Sequence, residues 1–165
     1  MKARAFLADS VQSVEGKLYV LGAGWNRLAA NGFPARHDRV GIGVLLTLED
    51  GEAGEHNLEL SLLDPREQPM PLFVDPSGTE QFALHASFQT QAPTDSFSDV
   101  VVPLALNLDG IALPEAGTYA FSLRLDGAEA ERLPFRVDQA GDAAAPDGAP
   151  GGTSTGRGPT DPGYL

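Results

Sequence analysis

Apolar residues recur at every second position along most of the first 138 residues. Val40, Ile42, Val44, Leu46 and Leu48 alternate with Gly41, Gly43, Leu45, Thr47 and Glu49, and Leu58, Leu60 and Leu62 alternate with Asn57, Glu59 and Ser61. The same period runs through Phe82–Phe88, Val100–Leu108, Tyr119–Leu125 and Leu133–Val137. A period of two places alternate side chains on opposite faces of an extended chain, so each segment predicts a half-buried antiparallel strand. The N-terminal part predicts two more strands, about 2–8 and 17–23, with a turn at Glu15-Gly16. Asp50-Gly51, Asp64-Pro65, Pro76-Ser77-Gly78, Asp109-Gly110 and Asp126-Gly127 mark further turns. Asp126-Gly127 signals a hairpin with a loop longer than two residues. Pro134 has no N–H to give a ladder, which places its strand at an edge or leaves its N–H side open. No run of ten or more residues carries a helical period. About eight strands separated by Gly, Pro and Asp turns predict an all-β fold, an antiparallel two-sheet sandwich of the immunoglobulin-like kind.

The segment Leu113-Pro114-Glu115-Ala116-Gly117-Thr118-Tyr119 sharpens that expectation. A Pro and Gly turn enters a strand whose first inward residue is Tyr. Such a Tyr either bonds its hydroxyl to backbone a few residues upstream, as in the tyrosine corner of immunoglobulin-like domains, or simply fills the core.

Composition divides the chain. Residues 139–165 are rich in Gly, Pro and Ala and hold only Tyr164 and Leu165 as bulky residues. A segment of that kind buries too little surface to offset its ordering entropy and reads as a disordered tail. The expected organisation is a β-sandwich domain over 1–138 and a tail over 139–165. Tyr164 and Leu165 are candidates for a tail interaction, offering an aromatic, an aliphatic and a carboxylate.

The formal net charge is −12, with 23 acidic and 11 basic residues. Neutralising phosphates needs clustered Lys and Arg, which are scattered here, so neither nucleic acid nor an anionic membrane is an expected partner. Cysteine is absent, which removes disulfides, thiolate metal sites and a Cys nucleophile. The apolar run that opens the chain stops at Asp9, short of a signal-peptide core, and the expected location is cytoplasmic.

Candidate chemistry is sparse. His37, His56 and His85 lack metal-ligand spacing. No serine lies in G-x-S-x-G or S-x-x-K, and Gly22-Ala23-Gly24 and Gly41-Ile42-Gly43 do not complete a dinucleotide fingerprint. Asp95, Asp99, Asp109 and Asp126 stand near strand ends, where sandwich loops can gather oxygen ligands for Ca²⁺, although Asp is also a common turn residue. Trp25, Asn26 and Arg27, which precede a loop expected over Leu28–Arg39, form with Phe33 and His37 of that loop the preferred binding segment, because aromatics and Arg anchor recognition surfaces; the alternative is that Trp25 closes the open end of the core. No metal or cofactor is expected.

The blocks Met1–Asp9, Gly16–Trp25, Val102–Leu108, Leu113–Tyr119 and Leu133–Phe135 resemble an uncharacterised bacterial family of small, mostly actinobacterial proteins. The resemblance spans about residues 1–137. It implies a β-sandwich with no assigned activity and transfers no catalytic residue. The expected function is non-enzymatic: a protein-binding or scaffold module acting through loops or an edge strand on a protein partner. A small-ligand module for carbohydrate or calcium is the alternative, followed by a hydrolase with a site assembled from distant residues.

Overall fold

The computed structural model describes residues 1–48, 52–91 and 100–141. Within them the chain is all-β, and the expected class holds. The strands are β1 (Lys2–Ala8), β2 (Ser10–Val14), β3 (Lys17–Leu21), β4 (Arg27–Ala30), β5 (Ala35–Leu48), β6 (Gly54–Leu63), β7 (Pro69–Met70), β8 (Phe73–Val74), β9 (Glu80–Gln81), β10 (Ala83–Thr90), β11 (Val100–Leu113), β12 (Gly117–Leu125) and β13 (Ala128–Gln139).

Three strands form one sheet in the order β1-β5-β11, and a second sheet runs β10-β6-β12-β13-β4, with β7 added to β6. The second sheet curls into a half-barrel. Every pairing in these sheets is antiparallel except β13 with β4. The two-stranded ribbons β2-β3 and β8-β9 complete the fold. The alternating residues of the sequence make the core: Ile42, Val44 and Leu46 from β5, Leu58, Leu60 and Leu62 from β6, and Tyr119, Phe121 and Leu123 from β12 are all but fully buried. Burying a side chain of that size stabilises by about 1.5–3 kcal/mol, which is what draws the two main sheets onto one cluster.

Turn chemistry closes two hairpins as the backbone requires. Glu15 and Gly16 have φ of 49° and 71°, and Asp126 and Gly127 have 49° and 83°. Two positive φ values in a two-residue loop are the type I′ geometry whose twist matches the flanking strands. Leu125 pairs directly with Ala128, so this loop has two residues and not more, a correction to the expected longer loop. Pro134 lies where β13 has β12 on one side and has not yet met β4, which pairs only from Arg136 onward.

Two further expectations are corrected. Asp109-Gly110 is not a turn; both residues lie inside β11, which keeps one register against β5 from Val100↔Leu48 to Leu113↔Ala35, the ladder passing over Gly110 and Asp38. The inward face changes there instead. Leu108 is buried on one side of Gly110, and Ile111 and Leu113 on the other; β5 makes the same switch, with Asp38 and Arg39 both exposed between His37 and Val40. Gly110 adopts φ +70°, a left-handed value that glycine takes without the steric cost of a side chain. The stretch Leu28–Arg39 is likewise not one loop: β4 and the first residues of β5 occupy most of it.

The Tyr119 hydroxyl donates to the Glu115 carbonyl at 2.7 Å and accepts from the Glu115 amide at 3.3 Å. Of the two readings of this residue, the backbone-bonded corner is the one formed. The expected tail falls outside the described residues from 142 onward, and Tyr164 and Leu165 with it.

Candidate functional site

The outer face of the three-stranded sheet is built from the residues opposite the core set. On β1 these are Lys2, Arg4, Phe6 and Ala8; on β5, Gly41, Gly43, Leu45 and Thr47; on β11, Val101, Pro103, Ala105 and Asn107. Its polar members are Lys2, Arg4, Thr47 and Asn107. The β2-β3 ribbon folds over one end of it. Gly41 permits the approach, since a Cβ there would fall 2.9 Å from the Ser10 backbone. Asn107 then grips β2 as a strand neighbour would: its Oδ1 accepts from the Val11 amide at 3.0 Å and its Nδ2 donates to the Val11 carbonyl at 2.8 Å. The Ser13 hydroxyl donates to the Pro103 carbonyl at 3.2 Å.

Only one side of the ribbon is covered in this way. Leu21 is 69% exposed, Tyr19 57% and Val101 51%, with Val14, Val20 and Leu45 also exposed. Apolar residues scattered singly on a surface are ordinary; a group sharing one ribbon and the adjoining sheet face is a feature of interaction surfaces.

The sequence-predicted binding segment is placed differently. Trp25 is half-buried against the core, with its ring edge-on to both His37 and Phe135 at 6.0 Å. It therefore sits at the end of the core. Its Nε1–H is buried and has no acceptor among the described residues. His37 is a strand residue of β5, and Phe33 also packs on the core. The Asn26 carbonyl accepts from the Arg136 amide, and Arg27 is ion-paired to Asp138 at 2.7 Å. A cleft of about 300 Å³ opens beside this segment, lined by Asn31, Arg36 and His37 among others. Trp25 and His37 are thus brought together, while Arg27 is turned to a structural pair.

The polar clusters are committed to structural contacts, one at a turn and two between strand residues. Asp126 accepts from the Asn57 amide at 2.9 Å and contacts His56 Nδ1 at 2.8 Å. The Asn57 amide and then His56 hold this carboxyl below the usual Asp range. His56 Nε2 contacts the Glu52 carbonyl at 3.1 Å, so both ring nitrogens are engaged and neither is left to serve a hydroxyl nucleophile. Asp109 is held by Arg39 at 2.6 and 3.1 Å, which keeps its carboxyl low. Asp138, between Arg136 and Arg27, is lowered in the same way. Of the four acids considered for Ca²⁺, Asp109 and Asp126 are thereby occupied, and Asp95 and Asp99 lie outside the described residues. Among the described residues no three His, Asp or Glu side chains converge as a metal site. The role of His56 was not legible locally: its partner is seventy positions away, and only the β6–β12 pairing brings the Asp126 turn beside it.

The model of DUF6941, a family of unknown function, matches residues 3–138. No curated protein matches the chain. Among solved structures, one that is similar is the Pseudomonas fluorescens alkylpurine DNA glycosylase AlkC bound to DNA containing an abasic site analog, at 8% identity and a TM-score of 0.34. That match covers 68% of this chain and 27% of the other, so this chain spans about a quarter of its length. A likeness of that size carries no argument.

Proposed function

The chain belongs to DUF6941, a family of unknown function, and from that premise we propose that it is a non-enzymatic protein-binding module. The observation that supports this reading is a set of exposed apolar residues: Val14, Tyr19 and Leu21, whose ladder positions share the side of the ribbon opposite Val11, with Val20 on the Val11 side, and Leu45 and Val101 on the adjoining sheet face. A two-stranded ribbon gains little stability by itself in water. Exposing Tyr19, Val20 and Leu21 in succession does nothing for its folding, whereas covering them would recover their transfer free energy. The surface is an edge-strand one, since among the described residues β3 has a ladder partner only in β2. We read the architecture as a two-layer, immunoglobulin-like sandwich acting in the cytoplasm. The shared core of the two main sheets and the Tyr119 corner favour the sandwich.

The test compares proteins retained from native lysate by the wild-type chain and by Tyr19→Asp and Leu21→Asp variants with matched melting curves. A protein held by the wild type and released by both variants is the expected result. Identical retained sets would overturn the assignment of this surface.

A further inference from the structure

We propose that the groove between the β8-β9 ribbon and the far end of β11 binds an aliphatic carboxylate, of the chemical class of a medium-chain fatty acid. The groove lies apart from the β2-β3 ribbon, and its assignment does not rest on the protein-binding reading. It has a volume of about 460 Å³, within the usual range of ligand sites, and its apolar walls with few polar groups are typical of them. Phe73 and Val74 form one wall and Ala112 and Pro114 the other. Phe73 is 38% exposed and Val74 60%.

One cation is set into this apolar surround. Arg36 stands opposite Ala112 in the β5–β11 ladder and lays its guanidinium on Gly110. A Cβ at Gly110 would fall 2.2 Å from Arg36 Nη2 and 2.6 Å from Nε, so glycine is what leaves the guanidinium its seat. The two nearby arginines differ in a way that matters. Arg39 is satisfied by Asp109 through both carboxylate oxygens, whereas Arg36 has no ion pair or hydrogen bond among the described residues. Asp109 lines the same groove but is already engaged. A planar guanidinium with free donors beside an apolar wall is matched by a carboxylate, which it can bind through two parallel hydrogen bonds.

The remaining charge narrows the ligand. Glu80 also lines the groove, and its negative charge opposes a second acidic group, favouring a mono-acid. The volume is well above what a few waters need, which leaves room for an alkyl chain of medium length. A peptide ending in an apolar residue would present a carboxylate as well, but its amides need partners once desolvated, and the free side-chain donor here is Arg36 alone. The lining therefore favours a chain with one polar end.

Calorimetric titration of the full chain with decanoate, decanol, decylammonium and an acetylated peptide ending in Phe-Leu tests the proposal. Decanoate is expected to bind saturably at one site, with decanol and decylammonium at least tenfold weaker. Arg36→Gln should weaken decanoate about tenfold or more, the scale of a charge-assisted hydrogen bond. Glu80→Gln should tighten it, an outcome no merely structural role for Glu80 would give. Val74→Asp, which alters the wall and leaves Arg36 in place, should abolish binding. Equal affinity for decanol, no effect of Arg36→Gln in a variant with a wild-type melting curve, or binding of the peptide without binding of decanoate would each overturn the proposal.

Discussion

Replacing Tyr119 by Phe isolates one hydroxyl in the middle of the fold. The ring is fully buried and stacks on Phe135 at 5.7 Å with 20° between planes, and Phe preserves both. What is lost is the 2.7 Å bond to the Glu115 carbonyl and the weaker 3.3 Å bond from its amide. A net hydrogen bond contributes about 1 kcal/mol, and leaving a buried partner unsatisfied costs about 1–3 kcal/mol. Glu115 is half-buried, so water satisfies part of what the hydroxyl leaves, and the expected loss is about 2 kcal/mol. Urea unfolding should show a lower midpoint at an unchanged slope, and the melting temperature should fall by roughly 5–10 °C. Burial, with added contributions from the Glu115 and Asp64 carboxylates, pushes the Tyr119 phenol above its ordinary value. A raised folded pKa gives stability that is fully present below the unfolded value near 10 and is lost as pH rises through the folded one. The variant should therefore lose less stability than the wild type on going above about pH 10. A stability change below about 0.5 kcal/mol, or an identical alkaline limb, would show that Tyr119 only fills the core.

The other expectations concern packing, the ribbon and pH. Asn107→Ala removes both bonds to Val11, and amide exchange in β2 and β3 should quicken while β12 keeps its protection; uniform protection would show that the clamp contributes nothing. In Gly43→Ala the new methyl would lie 2.3 Å from Phe6 Cζ, so the ring must move, and a loss of about 1–3 kcal/mol is expected in denaturant melts. Leu60→Ala should cost about 2–5 kcal/mol for a side chain with no exposure. Asp126 has a lowered folded pKa, so its contribution is present above the unfolded value of about 4 and disappears as pH falls through the folded one. Asp126→Asn should flatten the acid limb of a stability profile, and an unaltered limb would count against the clamp on Asn57 and His56.

Much of the fold was legible in local pattern. Alternation located the strands that fill the core, because a period of two and a buried face are the same fact seen in one and in three dimensions. The shortest strands, β7, β8 and β9, have two residues each, too few to show a period. The candidate site was less legible. Trp25, Phe33 and His37 have the composition of a recognition loop, yet Phe33 and Trp25 pack on the core. Leu21 and Val20, which look like core residues, are exposed because their strand belongs to a ribbon.

The sequence by itself determined the all-β class, the positions of the Glu15-Gly16 and Asp126-Gly127 turns and the residue able to form the Tyr119 corner, since each depends on neighbours within a few positions; the two-residue length of the Asp126-Gly127 loop came from the pairing of Leu125 with Ala128. Tertiary structure alone decided which strands pair, where β5 and β11 change their inward face, and which apolar residues stay outside. Those outcomes rest on contacts between distant segments, such as Asn107 with Val11 and Arg36 with Gly110. A strand's own alternation states that it has two faces; only its partners settle which of them meets water.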